Sequence, residues 1–196
     1  MDDKLRTLLD ELYRDGLRFD EAQADRRDRR RNLEPDAAAL LSVVVQAMGA
    51  RAVLEVGTSN GYSTIWLADA VRAVGGRVIS VDTDVEAQRL AAANLSAAGL
   101  RDVVELRVTD GGAALAELPD GGVDVLFLDS ERPEYPGWWP HLLRVLRPGG
   151  LLAVDNVLSH PDEVAPLLAL VEAEPAFTAT VVPVGKGELL AVKAAD

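Results

Sequence analysis

Residues 53–64 read VLEVGTSNGYST and decide the fold class. An apolar run of strand length enters a glycine-containing turn, and a helical pattern begins directly after it. Strand-like runs then alternate with helical patterns to residue 173, which is typical of a parallel sheet covered on both faces. Two last strand-like runs, at residues 177–183 and 188–194, flank the turn Gly185-Lys186-Gly187. We therefore predict a doubly wound α/β fold, with a mostly parallel seven-stranded sheet and a C-terminal antiparallel hairpin.

The helical patterns lie at residues 2–15, 36–49, 61–74, 84–98, 112–118, 137–146 and 161–173. The first is amphipathic, and Gly16 is predicted to end it. Thr83 and Glu86 have the spacing of a capping box before helix 84–98, and Gly99 stands where a C-terminal cap belongs. Because no repeat or low-complexity linker interrupts the chain, residues 1–196 are predicted to form one domain, of which residues 1–34 are an N-terminal helix and a charged segment.

Composition excludes several classes of function. The 196 residues carry 20 Lys+Arg against 32 Asp+Glu, a net charge of -12, and this balance disfavours nucleic-acid binding through a basic surface. The absence of cysteine excludes disulfide scaffolds, thiolate metal sites and cysteine nucleophiles. The acidic N-terminus is unlike a signal peptide, and no apolar run reaches the roughly 20 residues of a membrane span. We expect a cytoplasmic protein without a membrane partner.

The ends of the first three strands suggest an adenosine cofactor, because ligands of such sheets bind beyond the carboxyl ends of the strands. Ser59 replaces the middle glycine of the dinucleotide-binding pattern, and Glu55 would repel a pyrophosphate but suits a cationic group. Asp82 ends the second strand, where an acidic residue commonly holds ribose hydroxyls, and Asp110 is placed to contact an adenine edge. S-adenosylmethionine fits these features. A plain tight turn at Gly57 and a solvated turn residue at Asp110 are the alternatives.

The ends of the fourth and fifth strands predict a site for a divalent metal. Asp129 follows the fourth strand, and Asp155 and Asn156 follow the fifth. Carboxylate and amide oxygens are hard ligands that suit Mg²⁺, Ca²⁺ or Mn²⁺, and we expect Mg²⁺. The alternative is that Asp155 and Asn156 simply form a turn.

Five segments in this order resemble the metal-dependent S-adenosylmethionine O-methyltransferases that include the catechol and caffeoyl-coenzyme A O-methyltransferases. They are VLEVGTSNGYST at 53–64, VISVD at 78–82, FLDSERPEY at 127–135, LLAVDNV at 151–157 and GKGELLAVK at 185–193. The resemblance extends from about Asn32 to the C-terminus. It implies a Rossmann-like methyltransferase fold, a homodimer, and transfer of a methyl group to a hydroxyl of a small vicinal-dihydroxy aromatic acceptor.

The resemblance also implies roles for individual residues. The cofactor would contact Leu33, Glu55, Gly57, Thr58, Ser59, Ser63, Asp82, Asp110 and Asp129. The metal would be held by Asp129, Asp155 and Asn156, where it would orient the acceptor's two oxygens and act as a Lewis acid. Asp129 would thereby belong to the catalytic centre.

Two further positions are candidates for catalysis. Arg132 stands where the family usually has a catalytic lysine, and arginine stays protonated, so it could stabilise an oxyanion but could not be a general base. His160, four residues beyond Asn156, could take a proton near neutral pH; the alternative is a surface histidine at a helix start. Trp138 or Trp139 could border an aromatic acceptor, or the pair could be structural.

The sequence leaves three other functions open. Methylation of a hydroxylated tRNA uridine is one, and the arginine run at 26–31 would favour it, although that run is better explained as a solvated segment. A cofactor-binding protein with weakened catalysis is another, because of Arg132. An NAD-dependent oxidoreductase ranks last, because the glycine spacing is wrong for it.

Overall fold

The structure is a computed structural model that describes residues 1–25 and 29–195. In these ranges the chain forms α1 (Asp3–Glu21), α2 (Pro35–Ala47), β1 (Ala52–Val56), α3 (Tyr62–Arg72), β2 (Arg77–Asp82), α4 (Val85–Ala97), β3 (Val104–Val108), α5 (Gly111–Glu117), β4 (Val123–Leu128), α6 (Tyr135–Val145), β5 (Leu146–Val154), α7 (Pro161–Ala173), β6 (Phe177–Val182) and β7 (Glu188–Lys193). The strands form one sheet in the order β3-β2-β1-β4-β5-β7-β6.

The sheet confirms the predicted doubly wound α/β fold and its closing hairpin. Strands β1 to β5 pair in parallel, whereas β7 is antiparallel to both β5 and β6. The chain moves outward from β1 through β2 to β3, then returns to the other side of β1 and continues through β4 to β5. Because the strand order reverses between β1 and β4, the carboxyl ends of these two strands border a crevice.

Both faces of the sheet are buried by helices. Val53 of β1 packs in a cluster with Leu41 of α2 and Ile65 of α3, whereas its neighbour Leu54 packs in a second cluster with residues of α5, α6 and α7. Successive side chains of a strand point to opposite faces, so one short apolar run serves both clusters. None of the helices in the described part of the chain combines the length and apolarity that crossing a membrane requires.

The prediction that Gly16 ends the first helix is wrong. Helix α1 continues through Gly16 to Glu21, and the side chain of Asn32 lies where a Cβ would be, 2.4 Å from that position. The Asn32 amide also donates a hydrogen bond to the carbonyl of Leu12. The glycine therefore permits a close approach instead of ending the helix.

The predicted capping box of helix α4 is also wrong. Asp84 is the N-cap, and its carboxylate accepts from the backbone N–H groups of Glu86 and Ala87 at 2.8 and 3.3 Å. Aspartate one residue later in the chain takes the capping position from Thr83 because its side chain reaches the same orphan donors. The predicted C-terminal position of Gly99 is confirmed, with φ at +67°.

Asp124 joins β1 to β4 at the amino ends of the strands, away from the crevice. Its carboxylate accepts from the backbone N–H groups of Arg51 and Ala52 at 2.7 and 2.8 Å and pairs with Arg147. Burial opposes ionisation, but these donors prevail and lower the pKa of Asp124 below its ordinary value of 3.8.

We expect Asp124→Ala to lower the free energy of unfolding by about 1.5–3 kcal/mol at pH 7, the usual contribution of hydrogen bonds to a charged group. Because the folded-state pKa is the lower one, this contribution exists above pH 3.8 and disappears as the pH falls through the folded-state pKa. Urea unfolding at pH 7, 5 and 3 measures it. The control is Asp120→Ala, at an exposed ion pair with Arg144, for which we expect less than about 1 kcal/mol. Equal losses in both variants would contradict the assignment.

Candidate active site

A cavity of about 560 Å³ lies at the carboxyl ends of β1, β2 and β4. Its floor is the loop from Gly57 to Asn60 and the start of α3. Residues 29–34 and α1 border it on one side, and Asp129, Asn156, His160 and Lys186 border it on another. The crevice predicted from the strand order is therefore present and lined by most of the predicted site residues.

Gly57 brings the β1 loop against the end of β4. Its φ is +104°, and a Cβ at this position would lie 2.1 Å from the carbonyl oxygen of Asp129. The backbone N–H of Asp129 donates to the carbonyl of Val56 at 2.9 Å, so the two strand ends stay paired beyond the sheet. This contact explains why a glycine is needed here better than a plain tight turn does.

Asp82 holds the β1 loop as well as facing the cavity. Its Oδ2 accepts from the backbone N–H groups of Thr58 and Ser59 at 3.0 and 2.9 Å, and its Oδ1 accepts from that of Asp84 at 3.0 Å. Each carboxylate oxygen has more than one acceptor position, so the predicted ribose contact stays open. The structure adds a second role that the sequence pattern did not reveal.

Glu55 lies beneath the loop, fully buried, and its side chain is absent from the cavity lining in the described part of the chain. Its carboxylate accepts hydrogen bonds from the hydroxyls of Ser63 at 2.5 Å, Ser80 at 2.6 Å and Thr64. Burial raises the pKa of Glu55 to about 7, against the lowering effect of these hydroxyls. Its predicted contact with the cofactor stays a prediction, and Ser63 is the member of this network that reaches the cavity.

Gln88 on α4 supports the loop from behind and was missed in the sequence. Its side-chain amide donates to the hydroxyl of Thr58 at 2.9 Å and to the carbonyls of Ser80 and Arg107 at 3.3 and 3.0 Å. Thr58 also shares a hydrogen bond with Ser80, so its side chain is committed to the interior. The signal available in the sequence was a glutamine on the side of a helix that faces the sheet, where an apolar residue is expected.

The remaining predicted cofactor residues lie around the cavity. Leu33 is buried and lines it, and the Ser59 hydroxyl donates to the carbonyl of Arg30 at 2.8 Å. Asp110 is the N-cap of α5 and accepts from the backbone N–H of Ala113 at 3.0 Å, so the turn role considered for it is real, and its side chain still lines the cavity. Trp138 borders the cavity at the same end.

The three predicted metal ligands are brought together. The Asn156 amide donates to Asp155 Oδ2 at 2.6 Å and to Asp129 Oδ1 at 3.2 Å. Burial, followed by the charge of Asp155, raises the pKa of Asp129 well above its usual range, and burial also raises that of Asp155. Asp129 and Asn156 line the cavity, whereas Asp155 is buried beside Asn156 and absent from the lining in the described part of the chain. Two carboxylates and an amide oxygen are nevertheless donors that fit a divalent cation. The described residues contain no cluster of three or more His, Cys, Asp or Glu arranged to hold a metal, so an ion would depend on this mixed set.

Glu188 is a third acidic residue of this region, missed because it begins the otherwise mostly apolar strand β7. It is fully buried beside Asp155. Two ionised carboxylates cannot hydrogen-bond each other, so the pair requires a proton. Burial, followed by the charge of Asp155, raises the pKa of Glu188 to about 10. A protonated Glu188 donates a hydrogen bond to Asp155, which favours the ionised form of Asp155.

Arg132 lines the cavity and forms an ion pair. It is buried, and its Nε donates to Glu163 of α7 at 2.7 Å. His160 is the N-cap residue of α7, lines the cavity, and has Nδ1 2.8 Å from the Ser159 hydroxyl. His160 therefore lies both at a helix start and beside the cavity, and its role as a base stays a prediction.

Aromatic residues support the loop after β4. The Tyr135 hydroxyl accepts from the backbone N–H of Ser130 at 2.7 Å and so lies under this loop. The two tryptophans separate, because Trp138 faces the cavity whereas Trp139 packs on Phe177 with ring centroids 5.9 Å apart.

The arginine run borders the mouth of the cavity in its described part. The backbone N–H groups of Arg30 and Arg31 donate to the carboxylate of Asp20 at 2.6 and 2.9 Å. The guanidinium of Arg30 lies over the ring of Phe19, 4.1 Å from its centroid. Arg29 and Arg31 are exposed, as predicted for a solvated segment, but they line the cavity too. Residues 26–28 lie outside the described residues.

We expect Glu55→Gln to change how stability depends on pH in the ligand-free protein. The folded-state pKa of about 7 lies above the ordinary value of 4.5, so ionisation of Glu55 destabilises the fold as the pH rises between these values. The wild type should lose up to about 3 kcal/mol relative to Glu55→Gln between pH 4.5 and 8. Urea unfolding across this range measures the difference. The exposed variant Glu117→Gln should parallel the wild type, and a parallel curve for Glu55→Gln would contradict the burial argument.

Comparison with known proteins identifies the family. A sequence model described as O-methyltransferase matches residues 8–192. A catechol O-methyltransferase of Niastella koreensis is 35% identical over 133 residues, and one of Mycobacterium tuberculosis is 36% identical over 120 residues; these matches cover 65% and 60% of this chain. The chain matches only 58% and 53% of the lengths of these two relatives.

Solved structures agree with this result. The O-methyltransferase of Bacillus cereus in complex with SAH has a TM-score of 0.80 and 28% identity, covering 95% of this chain and 90% of that one. An O-methyltransferase of Streptomyces achromogenes in complex with SAM has a TM-score of 0.75 and 26% identity, covering 99% and 91%. With the family model matched over nearly the whole chain, this protein belongs to the O-methyltransferase family.

Proposed function

We propose that this protein transfers a methyl group from S-adenosylmethionine to a hydroxyl of a small vicinal-dihydroxy aromatic, assisted by a divalent metal. The observation that carries the proposal is the convergence of Asp129, Asp155 and Asn156 near the β1 loop, with Asp129 and Asn156 lining the cavity. The two solved relatives hold SAH and SAM, and two curated relatives are named for catechol.

The electrostatics of the cavity favour a cationic cofactor over a pyrophosphate. Among the described residues, acidic side chains outnumber basic ones in its lining: Asp20, Glu34, Asp82, Asp84, Asp110, Asp129, Glu131 and Glu134 against Arg29, Arg30, Arg31, Arg132 and Lys186. Within this lining we assign Asp82 to the ribose and Asp110 to the adenine end, beside Trp138. The β1 loop, with Gly57, Ser59 and Ser63, then faces the methionine end, and Leu33 closes that side. An NAD-dependent reaction is disfavoured because these carboxylates would repel two phosphates.

In the reaction the acceptor oxygen bonds to the methyl carbon while the carbon–sulfur bond breaks, and the hydroxyl proton passes to a base. A divalent metal held by Asp129, Asp155 and Asn156 would supply Lewis acidity and orientation. The chain itself contributes rigid placement, because Gly57 fixes the β1 loop against Asp129 and so sets the cofactor's distance from the acceptor. Arg132 is neutralised by Glu163 and provides no base. His160 remains our candidate for accepting the hydroxyl proton.

We expect the proposed acceptor class to be turned over only with metal. S-adenosylhomocysteine formation from a 3,4-dihydroxylated aromatic acid should require Mg²⁺ and stop with EDTA. Asp155→Asn should lower kcat/KM about a hundredfold, because it removes a ligand charge while preserving shape. The control Asp162→Asn, exposed on the first turn of α7, should retain full activity.

Turnover that EDTA leaves unchanged would contradict the metal assignment. Cofactor binding without turnover of any dihydroxylated aromatic would contradict the acceptor class, and would favour a hydroxylated tRNA uridine or a non-catalytic binding protein. The homodimer and the cytoplasmic location stay predictions.

We expect Asp82→Ala to raise the Kd for S-adenosylhomocysteine at least about tenfold, because the proposed ribose contact and the anchor of the Thr58 and Ser59 backbone are lost together. Calorimetric titration measures it. The exposed control Asp102→Ala should bind as the wild type does, and an unchanged Kd for Asp82→Ala would place the ribose elsewhere.

A further inference from the structure

Lys186 projects from the β6–β7 turn into the proposed active site. It lies between Gly185 and Gly187, whose φ angles are +54° and +94°, and its half-buried side chain lines the cavity. The sequence offered a lysine flanked by two glycines, but the turn residues gave no indication that the side chain would face Asp129 and Asp155.

The backbone of Lys186 is fixed to the loop that carries the metal candidates. Its carbonyl accepts from the backbone N–H groups of Leu158 and Ser159 at 3.0 and 3.1 Å. At Gly187 a Cβ would lie 2.8 Å from the nitrogen of Leu158, so this approach requires glycine. The turn and the segment after Asn156 therefore form one rigid unit.

The start of α2 holds the same turn from the other side. The backbone N–H of Gly185 donates to Asp36 at 3.1 Å. The ammonium of Lys186 lies 3.0 Å from Glu34 Oε1, so this partner keeps it charged. Tyr13 of α1 also lies near this ion pair. Burial raises the pKa of the Tyr13 hydroxyl, the charge of Glu34 raises it further, and the charge of Lys186 lowers it.

The charge of Lys186 acts on both acidic candidates for the metal. It favours the ionised forms of Asp129 and Asp155. Burial lowers the pKa of Lys186, but the hydrogen bond to Glu34 and the charges of Glu34, Asp155 and Asp129 raise it above its usual value. Arg31 is a second cation acting on Asp129, at 3.8 Å from Glu131. Arg132 has its charge paired with Glu163. Lys186 is thus a cation held rigidly at the acceptor side of the cavity.

We propose that Lys186 contacts the acceptor and positions its reacting oxygen through a charge-assisted hydrogen bond from the ammonium. The contact stabilises negative charge on that oxygen as the hydroxyl proton leaves. Lys186 takes up no proton, because it is already protonated. This inference rests on the proposed O-methyl transfer and adds a residue to the acceptor side of that site.

The test compares Lys186→Met, which removes the charge at similar length, with Lys186→Arg, which preserves it. We expect Lys186→Met to lower kcat/KM for the dihydroxylated acid about ten- to a hundredfold, the usual effect of losing a charge-assisted hydrogen bond. The substitution should change kcat or KM for the acceptor, while the Kd for S-adenosylhomocysteine stays unchanged. Lys186→Arg should restore most of the activity. Lys4→Met, on the exposed face of α1, is the matched control and should behave as wild type.

Two further measurements separate a direct contact from a structural role. Glu34→Gln removes the ion pair but retains the ammonium, so it should lose less activity than Lys186→Met; equal losses would overturn the proposal and leave the ion pair as the essential feature. Calorimetry with Mn²⁺ alone should show several-fold tighter binding by Lys186→Met, because a positive charge near Asp129 and Asp155 is removed.

The outcomes distinguish this inference from the proposed function. Absence of turnover by the wild type would contradict the proposed function. Turnover by the wild type with full activity of Lys186→Met, or failure of Lys186→Arg to restore activity, would overturn only the role of Lys186.

Discussion

The close contact of Gly57 with Asp129 is the constraint on which the site depends. A Cβ at Gly57 would lie 2.1 Å from the Asp129 carbonyl oxygen, so any other residue would separate the ends of β1 and β4. One strand end leads into the proposed cofactor loop and the other into the proposed metal and acceptor region. The distance between the proposed cofactor and acceptor positions is therefore set by a backbone contact, which is stiffer than a contact between side chains.

Buried or half-buried carboxyl groups surround this contact, and hydrogen-bond partners offset the cost of burying each of them. Glu55 is held by three hydroxyls, and Asp82 by backbone N–H groups of the loop it supports. Asp155 is paired with a protonated Glu188. Such groups would be costly without these donors and the nearby cations. In the cavity lining of the described chain, acidic side chains outnumber basic ones, and this excess agrees with a positively charged cofactor.

Much of the fold and part of the site could be predicted from local patterns. Alternating apolar runs and helical patterns specified the parallel sheet, and the glycine turn at 185–187 specified the hairpin, because these features depend on neighbours in the chain. Parallel strands end at one edge, so the proximity of Asp129 to Asp155 and Asn156 followed from their positions after strands. The errors at Gly16 and Thr83 arose where a side chain distant in sequence, or a stronger neighbouring cap, took precedence.

By itself, the sequence determined the fold class, the crevice and the candidate residues at the strand ends, because strand direction and turn chemistry are encoded locally. Only the tertiary structure decided which groups surround each candidate side chain. It paired Arg132 with Glu163, placed Glu55 beneath the loop instead of in the cavity, and brought Lys186 from the distant hairpin to the acid pair. These outcomes depend on contacts between residues up to about 150 positions apart, such as Gly185 with Asp36, and no local pattern of residues encodes a contact of that range.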